Sequence, residues 1–329
     1  MHALILCPFE AESIGLLRQS MRVSHESWTE TQRLYHPLEL AERINEEAVT
    51  AVVVESDFVF EDTLELTPGL RFVGVCRAAV NHVDVEYATA QGIVVVNTPG
   101  RNANAVAEHT LGLMLALARR IPAAHRYVQA GEWQAPTEPY IAFQGVELRG
   151  RTAGIVGLGA IGRRVAEMCV ALGMKVLAYD PYAEGLFDGV ESVSLEGLMS
   201  SSDFVCVHAP LTGETEGMLD ARMLGLMQRR AYLVNTSDAA VLDQHALADA
   251  LKEGRIAGAA LDVFESHPVS PQNPLLALDN VILSPHIGGA TEETVRRHSQ
   301  MMTSDLLRFG RGEMPVNIVN RDAWSRARA

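Results

Sequence analysis

Ala153-Gly154-Ile155-Val156 runs straight into Gly157-Leu158-Gly159-Ala160-Ile161-Gly162, and that glycine motif runs straight into the helical pattern RRVAEMCVALG. A strand, a tight glycine turn and a helix in immediate succession leave few folds open. The three glycines act differently. Gly157 permits the sharp turn, Gly159 removes a side chain where a pyrophosphate would approach, and Gly162 lets helix and strand pack closely. The helix start at Ala160 and Ile161 then offers free amide N–H groups to the anion. Asp180, closing the next strand ahead of Pro181, stands at the expected spacing of about 20 residues. A carboxylate there accepts hydrogen bonds from ribose hydroxyls and repels a 2′-phosphate, so the motif predicts NAD in preference to NADP.

The alternation of strand and helix extends along the chain. Ala3–Cys7, Ala51–Glu55, Phe72–Cys76 and Ile93–Asn97 read as strands, with an amphipathic stretch around Leu38–Ala48 between the first two. Ala153–Gly157, Lys175–Tyr179, Phe204–His208, Ala231–Asn235, Gly258–Val263 and Val281–Leu283 read as six more. Several are apolar throughout, as strands covered on both faces are. The pattern predicts the α/β class, with parallel sheets between layers of helices. Asn97-Thr98-Pro99-Gly100 is a turn-rich break between the two series. A long helix is expected from Asn104 to about Arg120; its apolar residues lie on most faces, which predicts burial on several sides. A last helix is expected around Glu292–Phe309.

Composition narrows the functional classes. A chain of 329 residues holds about two domains at ~150 residues each. Forty-one acidic against 27 basic residues give a formal charge of −14, which repels phosphate backbones and anionic lipid. Neither nucleic acid nor a membrane is an expected partner, and no run approaches the roughly 20 apolar residues of a spanning helix. The N-terminus has no basic start or cleavage site of a secretory signal, so a cytoplasmic protein is expected. Cys7, Cys76, Cys169 and Cys206 lie far apart with no Cys-x-x-Cys pair, which predicts reduced buried thiols and no metal site. In a doubly wound sheet, ligands sit beyond the carboxyl ends of the strands. Asp180, His208, Asp238, Asp262, His267 and His286 close strands in that way.

Taken together, these motifs resemble the D-isomer-specific 2-hydroxyacid dehydrogenases. The likeness runs nearly end to end. It includes Val95-Val96-Asn97-Thr98-Pro99-Gly100, Ala105-Val106-Ala107-Glu108-His109, Glu147-Leu148-Arg149-Gly150 and His208-Ala209-Pro210-Leu211-Thr212. It continues through Ala260-Leu261-Asp262-Val263-Phe264, Ser284-Pro285-His286-Ile287-Gly288-Gly289-Ala290-Thr291 and Pro315-Val316-Asn317. The resemblance implies two doubly wound parallel-sheet domains. A Rossmann NAD-binding domain, 100–290, would be inserted into a flavodoxin-like substrate domain, 1–99 plus 291–329, with a hinge near Pro99 and Thr291. It implies a homodimer built on the helix after Asn104, and hydride transfer between NAD(H) and a small polar hydroxy or oxo compound. By the same resemblance Gly157, Gly159, Ala160, Ile161 and Gly162 meet the pyrophosphate, Asp180-Pro181 and Ala209-Pro210 border the adenosine, and Thr236, Ser237 and Gly288 line the cofactor site. Asp262 would hold the nicotinamide carboxamide, and His286 would be the acid/base. Arg77, Ala78, Ala79, Asn81 and Arg101 would face the substrate.

Two positions depart from the family pattern. Asp238 stands in Asn235-Thr236-Ser237-Asp238-Ala239 where the family carries an arginine that grips the substrate carboxylate. His267 stands in Glu265-Ser266-His267-Pro268 where the family carries the glutamate that orients the catalytic histidine. The charges are exchanged. One expectation is a rearranged acid/base set in which Asp238 sustains His286, while His267, with Arg77 or Arg101, receives the polar or anionic end of the substrate. The alternatives are an NAD(H)-binding redox sensor without hydride transfer, and an enzyme of another class using the same cleft.

Overall fold

A computed structural model describes residues 1–183 and 185–326; the end of the expected C-terminal segment, 327–329, lies outside the described residues. The chain divides into two compact units, Met1–Asn102 with Thr291–Ala329, and Ala103–Ala290.

In the first unit, strands β1 (His2–Ile5), β2 (Arg22–His25), β3 (Ala51–Val54), β4 (Phe72–Val75) and β5 (Val94–Val96) form one parallel sheet in the order β2-β1-β3-β4-β5. That is the flavodoxin-like winding. The central strands β1, β3 and β4 are mostly apolar runs with no exposed side, because β-branched side chains fit a pleated surface packed on both faces. One face packs under Leu40 and Ile44 of the helix Pro37–Glu46. The other packs under Met302 and Leu306 of the helix Glu292–Gly310. Gly74 marks how closely that helix lies, since a Cβ there would stand 2.5 Å from the Met302 sulfur.

In the second unit, β6 (Thr152–Val156), β7 (Lys175–Tyr179), β8 (Val190–Ser192), β9 (Phe204–Val207), β10 (Tyr232–Asn235), β11 (Gly258–Leu261) and β12 (Val281–Leu283) form a parallel sheet. Its order is β12-β11-β10-β9-β6-β7-β8. Counting from β6, this is the Rossmann winding, and strand order reverses between β6 and β9, the crevice where such sheets take their ligands.

The strand assignment is corrected at two points. Two strands were not expected: β2 and β8 sit at sheet edges, are short, and carry mostly polar, half-exposed residues, so neither shows the apolar run of a central strand. In the single chain the helix Ala103–Ala118 is buried on one side. It packs one face on the helix Ala160–Ala171 and on β10 and β11, and leaves Asn104, Glu108, Gly112 and Leu115 exposed. Exposed apolar residues continue in the segment that follows, at Ile121, Val128, Trp133, Tyr140 and Ile141.

Candidate active site

The glycine motif forms a cradle of the kind a dinucleotide needs. Gly157 has φ +90°, and a Cβ on it would stand 2.7 Å from the Ala209 nitrogen. A Cβ on Gly162 would stand 2.0 Å from the Gly157 carbonyl oxygen. Around Gly159 there is open space, and this residue caps the helix Ala160–Ala171 with no side-chain acceptor. The first-turn amides of Ala160 and Ile161 are therefore left to an external anion. At the end of β7, Asp180 accepts the Leu158 N–H at 2.7 Å and the Tyr182 N–H at 2.9 Å, beside exposed Pro181. Ala209 is buried against the glycine turn and Pro210 is exposed. Thr236 lies buried at the end of β10 with Ser237 half-buried beside it, and its hydroxyl lies 3.0 Å from that of Thr110. The cradle fits the cofactor that the sequence predicts.

Farther along the same sheet edge, the loop after β12 carries His286 in the left-handed region, φ +57°. Its exposed ring lies 5.3 Å from the ring of exposed His267. Asp262, 2% exposed, fastens this loop to the end of β11. It accepts the Ser284 hydroxyl at 2.6 Å and the N–H groups of Ile287 at 3.0 Å and Gly288 at 2.7 Å. Burial pushes the Asp262 carboxyl up, but hydrogen bonds from His109, Ser284, Ile287 and Gly288 outweigh it and hold the group below the usual carboxylate range. Asp238 is half-buried and caps the short turn Ala239–Val241 by accepting the Ala240 N–H at 2.9 Å. Its other oxygen has no partner among the described residues.

In the first unit, the loop after β4 carries Arg77, Ala78, Ala79 and Asn81. The Ala78 carbonyl accepts from the Asn97 side chain at 2.7 Å, and the amides of Ala78 and Ala79 donate to nothing among the described residues. The two candidate arginines differ. Arg101 is engaged, paired with Glu55 at 2.6 Å and donating to His298 Nδ1 at 2.8 Å. Arg77 is half-buried and its guanidinium has no ion-pair or hydrogen-bond partner among the described residues; burial lowers its pKa. Below this loop His82 is 5% exposed, and neither ring nitrogen has a protein partner among the described residues.

Residues 111–288 match the family described as D-isomer specific 2-hydroxyacid dehydrogenase, NAD binding domain. The chain belongs to that family. It is similar to a glyoxylate reductase of Korarchaeum cryptofilum, 44% identical over 270 residues that cover 81% of each chain. It is also 37% identical to a putative 2-hydroxyacid dehydrogenase of Bacillus subtilis, over 98% of this chain and 95% of that one. Among solved structures, the TT0316 protein of Thermus thermophilus superposes with a TM-score of 0.86 at 34% identity, covering 97% of this chain and all of that one.

This dehydrogenase is thus an oxidoreductase acting on the CH–OH group of hydroxy acids with an NAD-type cofactor. Sequence reasoning assigned no role to His109 or Ser284. A lone histidine within the apolar pattern of Ala103–Ala118 was the available signal, and its partner lies 175 residues away at 3.1 Å. Nor did sequence spacing bring Cys7 and Cys76 together. The fold sets both thiols beside His298, their donor atoms within 4.8 Å of one another. The His298 nitrogens are both engaged, Nδ1 accepting from Arg101 and Nε2 donating to the Pro8 carbonyl at 2.7 Å.

Proposed function

We propose that this dehydrogenase interconverts a small 2-oxo acid and its 2-hydroxy acid, with His286 as the acid/base. The observation that carries the reading is the exposed His286 ring, fixed on a loop at the carboxyl edge of the sheet that bears the dinucleotide cradle. NAD(H), when bound, supplies or accepts the hydride. His286 holds the proton that the carbonyl oxygen needs as it becomes a hydroxyl, and takes it back in oxidation. In the first unit, Arg77 and the amides of Ala78 and Ala79 have no partner among the described residues and are the groups suited to take a carboxylate. His267 completes the set against the His286 ring, and Asp238 adds a carboxylate on the same sheet edge. The carboxylate–guanidinium contact and the amide contacts are charge-assisted, roughly 1.5–3 kcal/mol each.

The enzyme works as a cytoplasmic homodimer in this reading. Four buried free thiols suit a reducing compartment. A groove of about 580 Å³ lined by Arg119, Ile121, Ala124, His125 and Val128, together with the exposed Trp133, Tyr140 and Ile141 farther along the same segment, suits a second copy of this chain.

The test is loss of NADH absorbance across a panel of 2-oxo acids, aldehydes and sugar-acid ketones, with products identified by mass. Turnover of at least one 2-oxo acid, abolished in His286→Gln, supports the reading. Tight NADH binding with no turnover of any panel member overturns it in favour of a binding protein.

A further inference from the structure

The loop that carries His286 is held by a chain of hydrogen bonds with a fixed direction. Asp262 is ionised and can only accept. The single Ser284 hydroxyl proton goes to Asp262 Oδ1 at 2.6 Å. Ser284 Oγ must therefore accept from His109 Nε2, 3.1 Å away, and this assigns the proton to that nitrogen. His109 Nε2 also lies 3.5 Å from Asp262 Oδ1. At the far end, Asp262 holds the amides of Ile287 and Gly288, the two residues that follow His286. Ahead of it, the His286 N–H bonds the Ser284 carbonyl at 3.0 Å. His286 is thus clamped on both sides while it occupies the left-handed region, which costs a non-glycine residue roughly 1–2 kcal/mol. Gly288 lies close against the chain: a Cβ there would crowd Asp262 Oδ2 at 3.0 Å and touch His109 Cδ2 at 3.5 Å.

We propose that His109 is a positioning residue for His286, acting through Ser284 and Asp262. It touches neither substrate nor reacting atoms. Its N–H fixes the Ser284 rotor, the Ser284 hydroxyl completes the acceptance at Asp262, and Asp262 sets the backbone on which the acid/base stands. The proposal rests on the reading of His286 as the acid/base.

The test combines amide hydrogen exchange with kinetics on His109→Leu, His109→Gln, Ser284→Ala and His286→Gln. Exchange at Ile287 and Gly288 should be about tenfold faster in His109→Leu and in Ser284→Ala, and no faster still in the double variant, because both break one chain. His109→Gln keeps an N–H donor and should restore protection. With glyoxylate and NADH, His109→Leu should lower kcat about tenfold or more while the Kd for NADH stays within about twofold of the parent. Unchanged exchange at Ile287 and Gly288 in His109→Leu overturns the proposal, as do additive effects in the double variant. Should His109→Leu simply unfold, Ser284→Ala carries the exchange test alone. Unchanged turnover in His286→Gln instead sinks the acid/base assignment, and the exchange data then stand by themselves.

Discussion

Asp180 accepts the Leu158 N–H at 2.7 Å, so the acidic residue of the cofactor site is tied to the residue between the first two glycines of the motif. A second bond, from the Tyr182 N–H to the other oxygen, leaves the carboxylate oriented but not used up, since it has about four acceptor sites. A 2′-phosphate brought to this point meets a fixed negative charge. NADH should therefore bind clearly tighter than NADPH by calorimetric titration, and Asp180→Ala should narrow the difference about tenfold, as removal of a like-charge contact does. Equal affinities in the parent protein would sink the assignment.

Arg77 and Arg101 are predicted to behave differently. Arg77→Ala removes a guanidinium without a partner among the described residues and should raise the KM for a 2-oxo acid about tenfold or more, the size of one lost charge-assisted contact, with little change in thermal stability. Arg101→Ala leaves Glu55, 12% exposed, without its partner, and stranding one member of a buried pair costs about 3–5 kcal/mol. Its signature is a lower Tm. The reverse pattern would move the substrate contact to Arg101.

Asp238→Asn separates two roles on one side chain. Asparagine caps a turn as well as aspartate does, so the bond to Ala240 survives and stability should change little. The charge is gone. If Asp238 sustains the protonated form of His286, turnover should fall and the pH–rate profile should move to lower pH, because a nearby carboxylate favours the charged imidazole. A profile that does not move leaves Asp238 as a cap alone.

Sedimentation tests the assembly. A species of twice the chain mass at micromolar concentration is expected, and Ile121→Glu with Val128→Glu should release monomers by placing charges on the exposed apolar helix Ile121–Gln129. A parent protein that sediments as a monomer removes the dimer.

What the sequence made legible follows from where each signal resides. Central strands such as Ala51–Val54 and Phe204–Val207 are apolar throughout because both faces are covered, and that is a local property. The glycine motif is local too. Strands Arg22–His25 and Val190–Ser192 are short and mostly polar, so no apolar run marks them. Site details were non-local: Arg101 meets His298 across 197 residues, and no spacing rule reaches that far. The exposed stripe of the helix Ala103–Ala118 includes Gly112 and Leu115 beside Asn104 and Glu108, so its outward side does not read as polar in the sequence.

Acid should destabilise this fold through two buried histidines. His208 is buried at the end of β9, with Thr236 3.5 Å from Nδ1 and no partner for Nε2 among the described residues. Burial pushes its pKa from 6.5 down to about 3. In His82, burial and the nearby Arg77 charge push it down to about 4. Both rings are neutral in the folded protein at pH values where the unfolded chain protonates them. Below about pH 6.5 the unfolded state binds more protons, so stability falls as pH drops toward the folded values and is unaffected above that window. Each such histidine removes at most about 1.4 kcal/mol per pH unit. Urea unfolding of the parent protein at pH 7 and pH 5 should show a marked loss, and His208→Gln should lessen it by up to about 2 kcal/mol, whatever its stability at pH 7. An identical pH dependence in parent and variant would mean that His208 keeps its ordinary pKa in the folded chain, with water or a neighbour reaching Nε2.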